Sequence, residues 1–157
     1  MTSQQWPKIA VEADLPSIEC PSHVLQWIEN LPADVLEIVS KVSENGGGIW
    51  IVGGAVRDVC LGLEVHDIDF AVTLEPEQMM DLFPDSIATG IEYGTVTLRG
   101  ENNLYEATTL RIESEYDDGR RPQSVRWGTS LSEDLQRRDF TINAMALDVA
   151  RKVMHDP

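Results

Sequence analysis

Cysteine is nearly absent from this 157-residue chain: Cys20 and Cys60 stand 40 positions apart, and neither belongs to a CxxC or Cys/His cluster. That argues against a disulfide scaffold and a thiolate metal site, and both thiols read as reduced and structural. His23, His66 and His155 are equally scattered, so zinc has no support. Long apolar runs are missing too. Hydrophobic residues make up 42% of the chain but come in short stretches broken by charges, and none approaches the ~18 residues of a membrane span. The N-terminus, MTSQQWPKIAVEADLP, lacks a basic region followed by an apolar one, so no membrane association and a cytoplasmic location are expected. There is no internal repeat or low-complexity tract. At this length a folded domain buries roughly two-thirds of the surface its unfolded chain exposes, enough for a core without staples.

Positive charge is scarce as well. Twelve Lys and Arg face 27 Asp and Glu, for a net charge of -15, which disfavours nucleic acid as a partner of the average surface. The imbalance is uneven. Residues 111–157 hold 8 of the 12 basic side chains. A local arginine cluster can grip phosphate despite long-range repulsion, although a mixed-sign solvated face would show the same composition.

Residues 1–20 have no clear period and carry Pro7 and Pro16, as an arm or linker would. SHVLQWIENLP offers Ser22 as an N-cap with Val24, Leu25, Ile28 and Leu31 at helical spacing, and ADVLEIVSKVSEN repeats the pattern before Gly46-Gly47-Gly48 ends it. GIWIV then reads as a buried strand running into Gly53-Gly54 and the helical octet AVRDVCLG. DIDFAV, from Asp67 to Val72, alternates as a strand; PEQMMDLF is a helix with Pro76 in its first turn. TVTLR (95–99), LYEATTL (104–110) and SVRW (124–127) are further strands, with a polar loop from Arg111 through Pro122 between the last two. SLSEDLQRRDF begins with Ser130 and Glu133 at capping-box spacing. The class predicted is α/β (α+β): a mixed sheet flanked by helices.

Several of these positions could carry chemistry. A glycine pair between strand and helix lets backbone approach a ligand and aims helix-start N–H groups at an anion; it also serves as a plain tight turn. VGGAVRD lacks both the GK[ST] of a P-loop and the three glycines of a dinucleotide fold. Arg57, one helical turn beyond Gly54, can add a guanidinium to the same cradle. Acid-x-acid pairs arise by chance about four or five times at this composition, and Glu12-x-Asp14, Glu75-x-Glu77 and Glu113-x-Glu115 are others. Only context distinguishes Asp67-Ile68-Asp69: Ile68 and Phe70 fill one strand face, leaving Asp67 and Asp69 to share the other and converge on a hard cation. Mg2+ typically takes one or two carboxylates plus substrate phosphates; an acidic solvent-facing strand is the alternative. Glu106 falls opposite Tyr105 and Ala107 in its strand, so it reaches the same face if that strand lies beside DIDFAV; a solvent-facing Glu is the alternative. Arg137 and Arg138, beside Asp139, present planar forks that suit a triphosphate, though arginines also complement a helix C-terminus.

Taken in order, GGAVRD, DID, EATTLR with EYDDGRRP, and DLQRRDFTINAMA resemble the catalytic head of the bacterial-type (class II) tRNA nucleotidyltransferase and poly(A) polymerase family over residues 48–157. The resemblance implies a polymerase-β-like nucleotidyltransferase fold preceded by a helical N-terminal extension, residues 1–47, to which no function attaches. It makes Asp67 and Asp69 the Mg2+ ligands, with Glu106 a third catalytic acid. Gly53, Gly54, Arg57, Arg137 and Arg138 become contacts to incoming ATP or CTP. An RNA primer, the 3′ end of tRNA, is the implied acceptor, gripped by neck, body and tail segments expected beyond MHDP. Two-metal attack of the primer hydroxyl on the α-phosphate, releasing pyrophosphate, is the implied chemistry. Poly(A) synthesis, CC-only or A-only addition, and a non-catalytic nucleotide-binding module are the competing readings.

Overall fold

The computed structural model describes residues 7, 11–112, 126–136 and 144–156. A two-residue strand, β1 (Ile18–Glu19), precedes the helices α1 (Ser22–Glu29) and α2 (Ala33–Glu44). Ser22 is the first residue of α1 and not its cap. Pro21 takes the cap position, and its carbonyl accepts the N–H groups of Val24 and Leu25 at 3.0 and 2.9 Å; the fixed proline φ already suits a helix start. Gly46, at φ +80, closes α2. The Gly47 N–H reaches the Val42 carbonyl (2.9 Å) and that of Gly46 the Ser43 carbonyl (3.1 Å), a Schellman ending that favours glycine at the left-handed position.

There follow β2 (Ile49–Val52), α3 (Gly54–Cys60), β3 (Asp69–Val72), α4 (Pro76–Leu82), β4 (Ile87–Gly90), β5 (Thr95–Arg99) and β6 (Leu104–Thr109). The short β7 (Arg111–Ile112) and β8 (Arg126–Trp127) pair with each other; α5 (Leu131–Gln136), β9 (Ala146–Asp148) and β10 (Val153–His155) complete the described chain. Eight strands form one mixed sheet in the order β1-β10-β9-β2-β3-β6-β5-β4. Every neighbouring pair is antiparallel except β3 with β6, which run parallel in the register Asp69 to Glu106, Phe70 to Ala107 and Ala71 to Thr108. The mixed sheet flanked by helices is as the sequence predicted.

Strand alternation sorts the core into two clusters. On one face Ile49, Ile51, Phe70, Val72, Val96, Leu98 and Ala107 pack against Val24, Ile28, Val35, Val39 and Val42 of α1 and α2. On the other, Trp50, Val52 and Ala71 meet Leu131 and Leu135 of α5, with Val11, Ala13 and Leu15 beside them. Both helices of the N-terminal extension thus bury their apolar stripe in the same core as the sheet. Its residues 18–19, expected in an arm, pair antiparallel with β10.

Three boundaries differ from the sequence reading. The DIDFAV strand begins at Asp69 and not Asp67, because β2 ends at Val52, opposite Asp69, where Gly53 (φ +76) turns the chain into α3. The ladder with β6 opens at the same residue, so Asp67 and Ile68 lie ahead of it. The loop expected from Arg111 starts with strand β7 instead. Finally, β4, β9 and β10 were not foreseen: β9 is buried at all three positions, Asp148 included, and shows no alternation.

Candidate functional site

The site forms where β2 stops and β3 begins. Gly53 has φ +76 and ψ -148, a combination that L-residues strongly resist. The turn brings its backbone against β3 closely enough that a Cβ there would lie 3.8 Å from Asp69 Oδ2. Gly54 opens α3, and a Cβ on it would lie 3.2 Å from Arg57 Nη2. The guanidinium therefore folds back over the helix start, as the spacing predicted, while Arg57 Nε donates to Asp58 Oδ1 at 3.0 Å.

Across the parallel pair, Asp69 and Glu106 are register partners. Tyr105 and Ala107 are buried on the opposite face while Glu106 is exposed, so the alternation read from LYEATTL holds. Beneath it the Tyr105 hydroxyl donates to both Asp34 carboxylate oxygens, at 3.0 and 3.1 Å, and the Glu101 N–H adds a third bond at 3.2 Å. Burial, and then the hydrogen bond to the Asp34 carboxylate and its charge, raise the Tyr105 pKa, so the phenol stays a donor. This anchor fixes the start of β6 against α2.

A cavity of about 330 Å³ is lined by Gly53, Asp69, Glu106, Thr108, Arg111 and Asp134, with the sheet as its floor. The Thr108 hydroxyl is tied to that of Thr95 at 3.0 Å. Asp67 is not part of this wall. It is exposed and lines a second cavity, of about 480 Å³, with Trp27, His66, Asn102 and Tyr105. The expectation that Asp67 and Asp69 share a strand face is corrected accordingly: Asp67 precedes the ladder, so the strand's alternation does not govern its direction. Asp69 with Glu106 is the acid pair brought together here. Among the described residues no three His, Cys, Asp or Glu side chains gather closely enough to hold a metal ion by themselves. Arg137, Arg138 and Asp139 lie outside the described residues, as does most of the loop from Arg111 to Pro122.

Asp134 was missed from sequence, although its place in a helix led by Ser130 was legible. Only the docking of α5 on the sheet brings that residue into the lining of the same cavity as Asp69. The Ser130 cap itself forms, with the Glu133 N–H donating to Ser130 Oγ at 3.1 Å. Asp14 joins it: its Oδ1 accepts the Ser132 N–H at 2.9 Å and its Oδ2 the Ser130 hydroxyl. Burial raises the Asp14 pKa, but these bonds outweigh it and the net shift is downward. Cys20 and Cys60 are free, half-buried thiols. Burial, then the neighbouring Cys60, pushes Cys20 up to about 11, so it is no activated nucleophile. Among the described residues no helix is long and apolar enough to cross a membrane.

Residues 49–157 match the model of the poly A polymerase head domain family. The CCA-adding enzyme of Lactococcus lactis subsp. cremoris is 45% identical over 133 residues, covering 81% of this chain and 33% of the relative. Among solved structures, the Bacillus stearothermophilus CCA-adding enzyme in complex with CTP superimposes with a TM-score of 0.69 at 40% identity, over 79% of this chain and 29% of that one. The Thermotoga maritima CCA-adding enzyme complexed with tRNA gives a TM-score of 0.59 at 25% identity, over 87% and 32%. The chain thus spans about a third of the length of these relatives.

Proposed function

Because the chain belongs to the poly A polymerase head domain family, we propose that it is the nucleotide-transferring head of a template-independent nucleotidyltransferase, acting in the cytoplasm, that builds the CCA end of tRNA from CTP and ATP. Residues 48–157 form the head in this reading, and 1–47 its extension. The observation that carries it is the parallel register of β3 and β6, which sets Asp69 beside Glu106 on one sheet face, opposite the glycine turn.

The donor set fits Mg2+. Asp69 and Glu106 offer hard carboxylate oxygens at one cavity wall, and Mg2+ needs only one or two carboxylates when substrate phosphates supply the rest. Asp69 would hold the ion together with Asp67, whose exposed position in the segment just ahead of β3 leaves it able to turn toward the same edge. When bound, Mg2+ supplies Lewis acidity toward the primer hydroxyl and charge neutralisation on the triphosphate.

The remaining work falls to the chain itself. The Gly53-Gly54 backbone and the Arg57 guanidinium receive the triphosphate, with Arg137 and Arg138 as further phosphate contacts, and Glu106 orients the attacking hydroxyl. The primer 3′-hydroxyl gives up its proton to solvent as its oxygen bonds the α-phosphorus, the bond from that phosphorus to the bridging oxygen breaks, and pyrophosphate leaves carrying the negative charge that the arginines stabilise.

The test is incorporation of labelled CTP and ATP into tRNA lacking its last nucleotides, by the natural polypeptide that contains this sequence, with Mg2+ present. Asp69→Ala should abolish incorporation while the fold melts within a few degrees of wild type. No incorporation by wild type, with nucleotide still bound, would instead establish a binding module.

A further inference from the structure

Tertiary contacts place the described residues of α5, Leu131–Gln136, and bring Asp134 into the lining of the cavity that Asp69 and Glu106 also line. Leu131 and Leu135 bury one stripe against the sheet. Its N-terminal end, however, is held by the extension. Asp14 accepts the Ser132 N–H and the Ser130 hydroxyl, across 118 and 116 positions of sequence. Val11, Ala13 and Leu15 pack into the same cluster as the two leucines. That segment is fastened along its length: Glu12 pairs with Arg151, the Pro16 carbonyl lies 3.1 Å from His155 Nδ1, and β1 joins the sheet edge at β10.

We propose that Asp14 is a positioning residue for nucleotide transfer. Through the paired bonds to Ser130 and Ser132 it fixes α5, and with it one wall of the nucleotide cavity, so the extension works as a strap that sets the width of the site. The proposal rests on the nucleotidyltransferase reading and assigns a task to a segment that the family resemblance leaves without one. Asp14 touches no reacting atom; it acts through the helix it caps.

The experiment compares Asp14→Ala, Asp14→Asn and Ser130→Ala in the natural polypeptide, by steady-state incorporation of ATP and CTP at a temperature well below each variant's melting point. Losing a cap of this kind is worth roughly five- to tenfold in an equilibrium. Asp14→Ala should therefore raise the KM for nucleotide about fivefold or more with kcat within about threefold of wild type. Asp14→Asn, which keeps an acceptor oxygen for the Ser132 N–H, should stay within about twofold of wild-type KM. Ser130→Ala removes the shared bond to Asp14 together with its own cap on the Glu133 N–H and should raise KM in the same direction; combined with Asp14→Ala it should raise KM by less than the product of the two single effects, since the Asp14–Ser130 bond is common to both. An unchanged KM in folded Asp14→Ala, or an Asn variant as impaired as the Ala variant, would overturn the proposal. If Asp14→Ala does not fold, an unchanged KM in Ser130→Ala overturns it equally. A wild-type protein that incorporates nothing would defeat the functional reading itself, which separates the two failures.

Discussion

Substituting the two adjacent glycines should produce opposite kinds of damage. Gly53 sits at φ +76, ψ -148, where, among the described residues, a Cβ would meet only Asp69 Oδ2, at the ordinary contact distance of 3.8 Å. Among those residues there is room for a methyl group and no conformation to suit it. Backbone strain of this kind costs about 1–3 kcal/mol, so Gly53→Ala should lose about 2 kcal/mol. At this chain length each kcal/mol lowers Tm by roughly 2–4 °C, giving a drop of about 4–8 °C. Gly54 reverses the case. Its φ is not positive and it is the first residue of α3, so alanine reduces the freedom of the unfolded chain and gains about 0.4–1 kcal/mol. Its Cβ would lie 3.2 Å from Arg57 Nη2, a flexible tip that can yield by a few tenths of an ångström. Gly54→Ala should therefore melt at or slightly above wild type yet bind ATP more weakly, because the guanidinium is pushed off the helix start. A charge-assisted hydrogen bond is worth about 1.5–3 kcal/mol, so a loss of roughly tenfold is expected. Circular-dichroism melts without nucleotide, and ATP titration below the transition, measure the two effects separately. A Gly53→Ala variant melting within about 1 °C of wild type, or a Gly54→Ala variant less stable than wild type, would show that strain at Gly53 and chain freedom at Gly54 do not set the two stabilities.

Other substitutions probe the frame around the site. Tyr105→Phe removes the donor to Asp34 at a residue only 3% exposed, and should cost about 1–2 kcal/mol in urea unfolding; an unchanged midpoint would show that the anchor contributes nothing. The Asp14 carboxyl is depressed below its ordinary 3.8, so its stabilising contribution is complete above that value and is lost as pH falls through the lower folded-state pKa. Wild type should thus lose stability relative to Asp14→Asn as pH falls below that ordinary value, and parallel curves from melts at progressively lower pH would contradict it. With Cys20 at about 11, alkylation at pH 8 should run at least about tenfold slower in the folded than in the urea-unfolded chain, read by mass spectrometry.

The alternation of LYEATTL was legible because a half-buried strand writes its faces as a period of two, and the turn between GIWIV and AVRD because a short apolar run bounded by glycines reads as a buried strand. That was enough to place Glu106 opposite Tyr105 and Ala107, and to state adjacency of its strand to DIDFAV as a condition. What the residues could not state was the register across the 31-residue connection, 73–103, between β3 and β6, since pairing is fixed by topology. The same limit explains Asp67. A period continues along a string of letters, whereas a ladder ends where its partner turns away, here at Val52. Asp148 hid β9, because a buried carboxylate in a strand looks like a surface position. The bond from Asp14 to α5 joins residues too far apart for any local pattern to report.

Since β3 and β6 are, among the described residues, the sheet's one parallel pair, no hairpin can join them. The chain must pass through α4, β4 and β5 to bring the two acids side by side. Long-range pairings of this sort form slowly, so during refolding the capacity to bind triphosphate should emerge after most helical signal has recovered. Chemical competence would then report the last stage of maturation, and a half-folded head would hold no nucleotide to misuse.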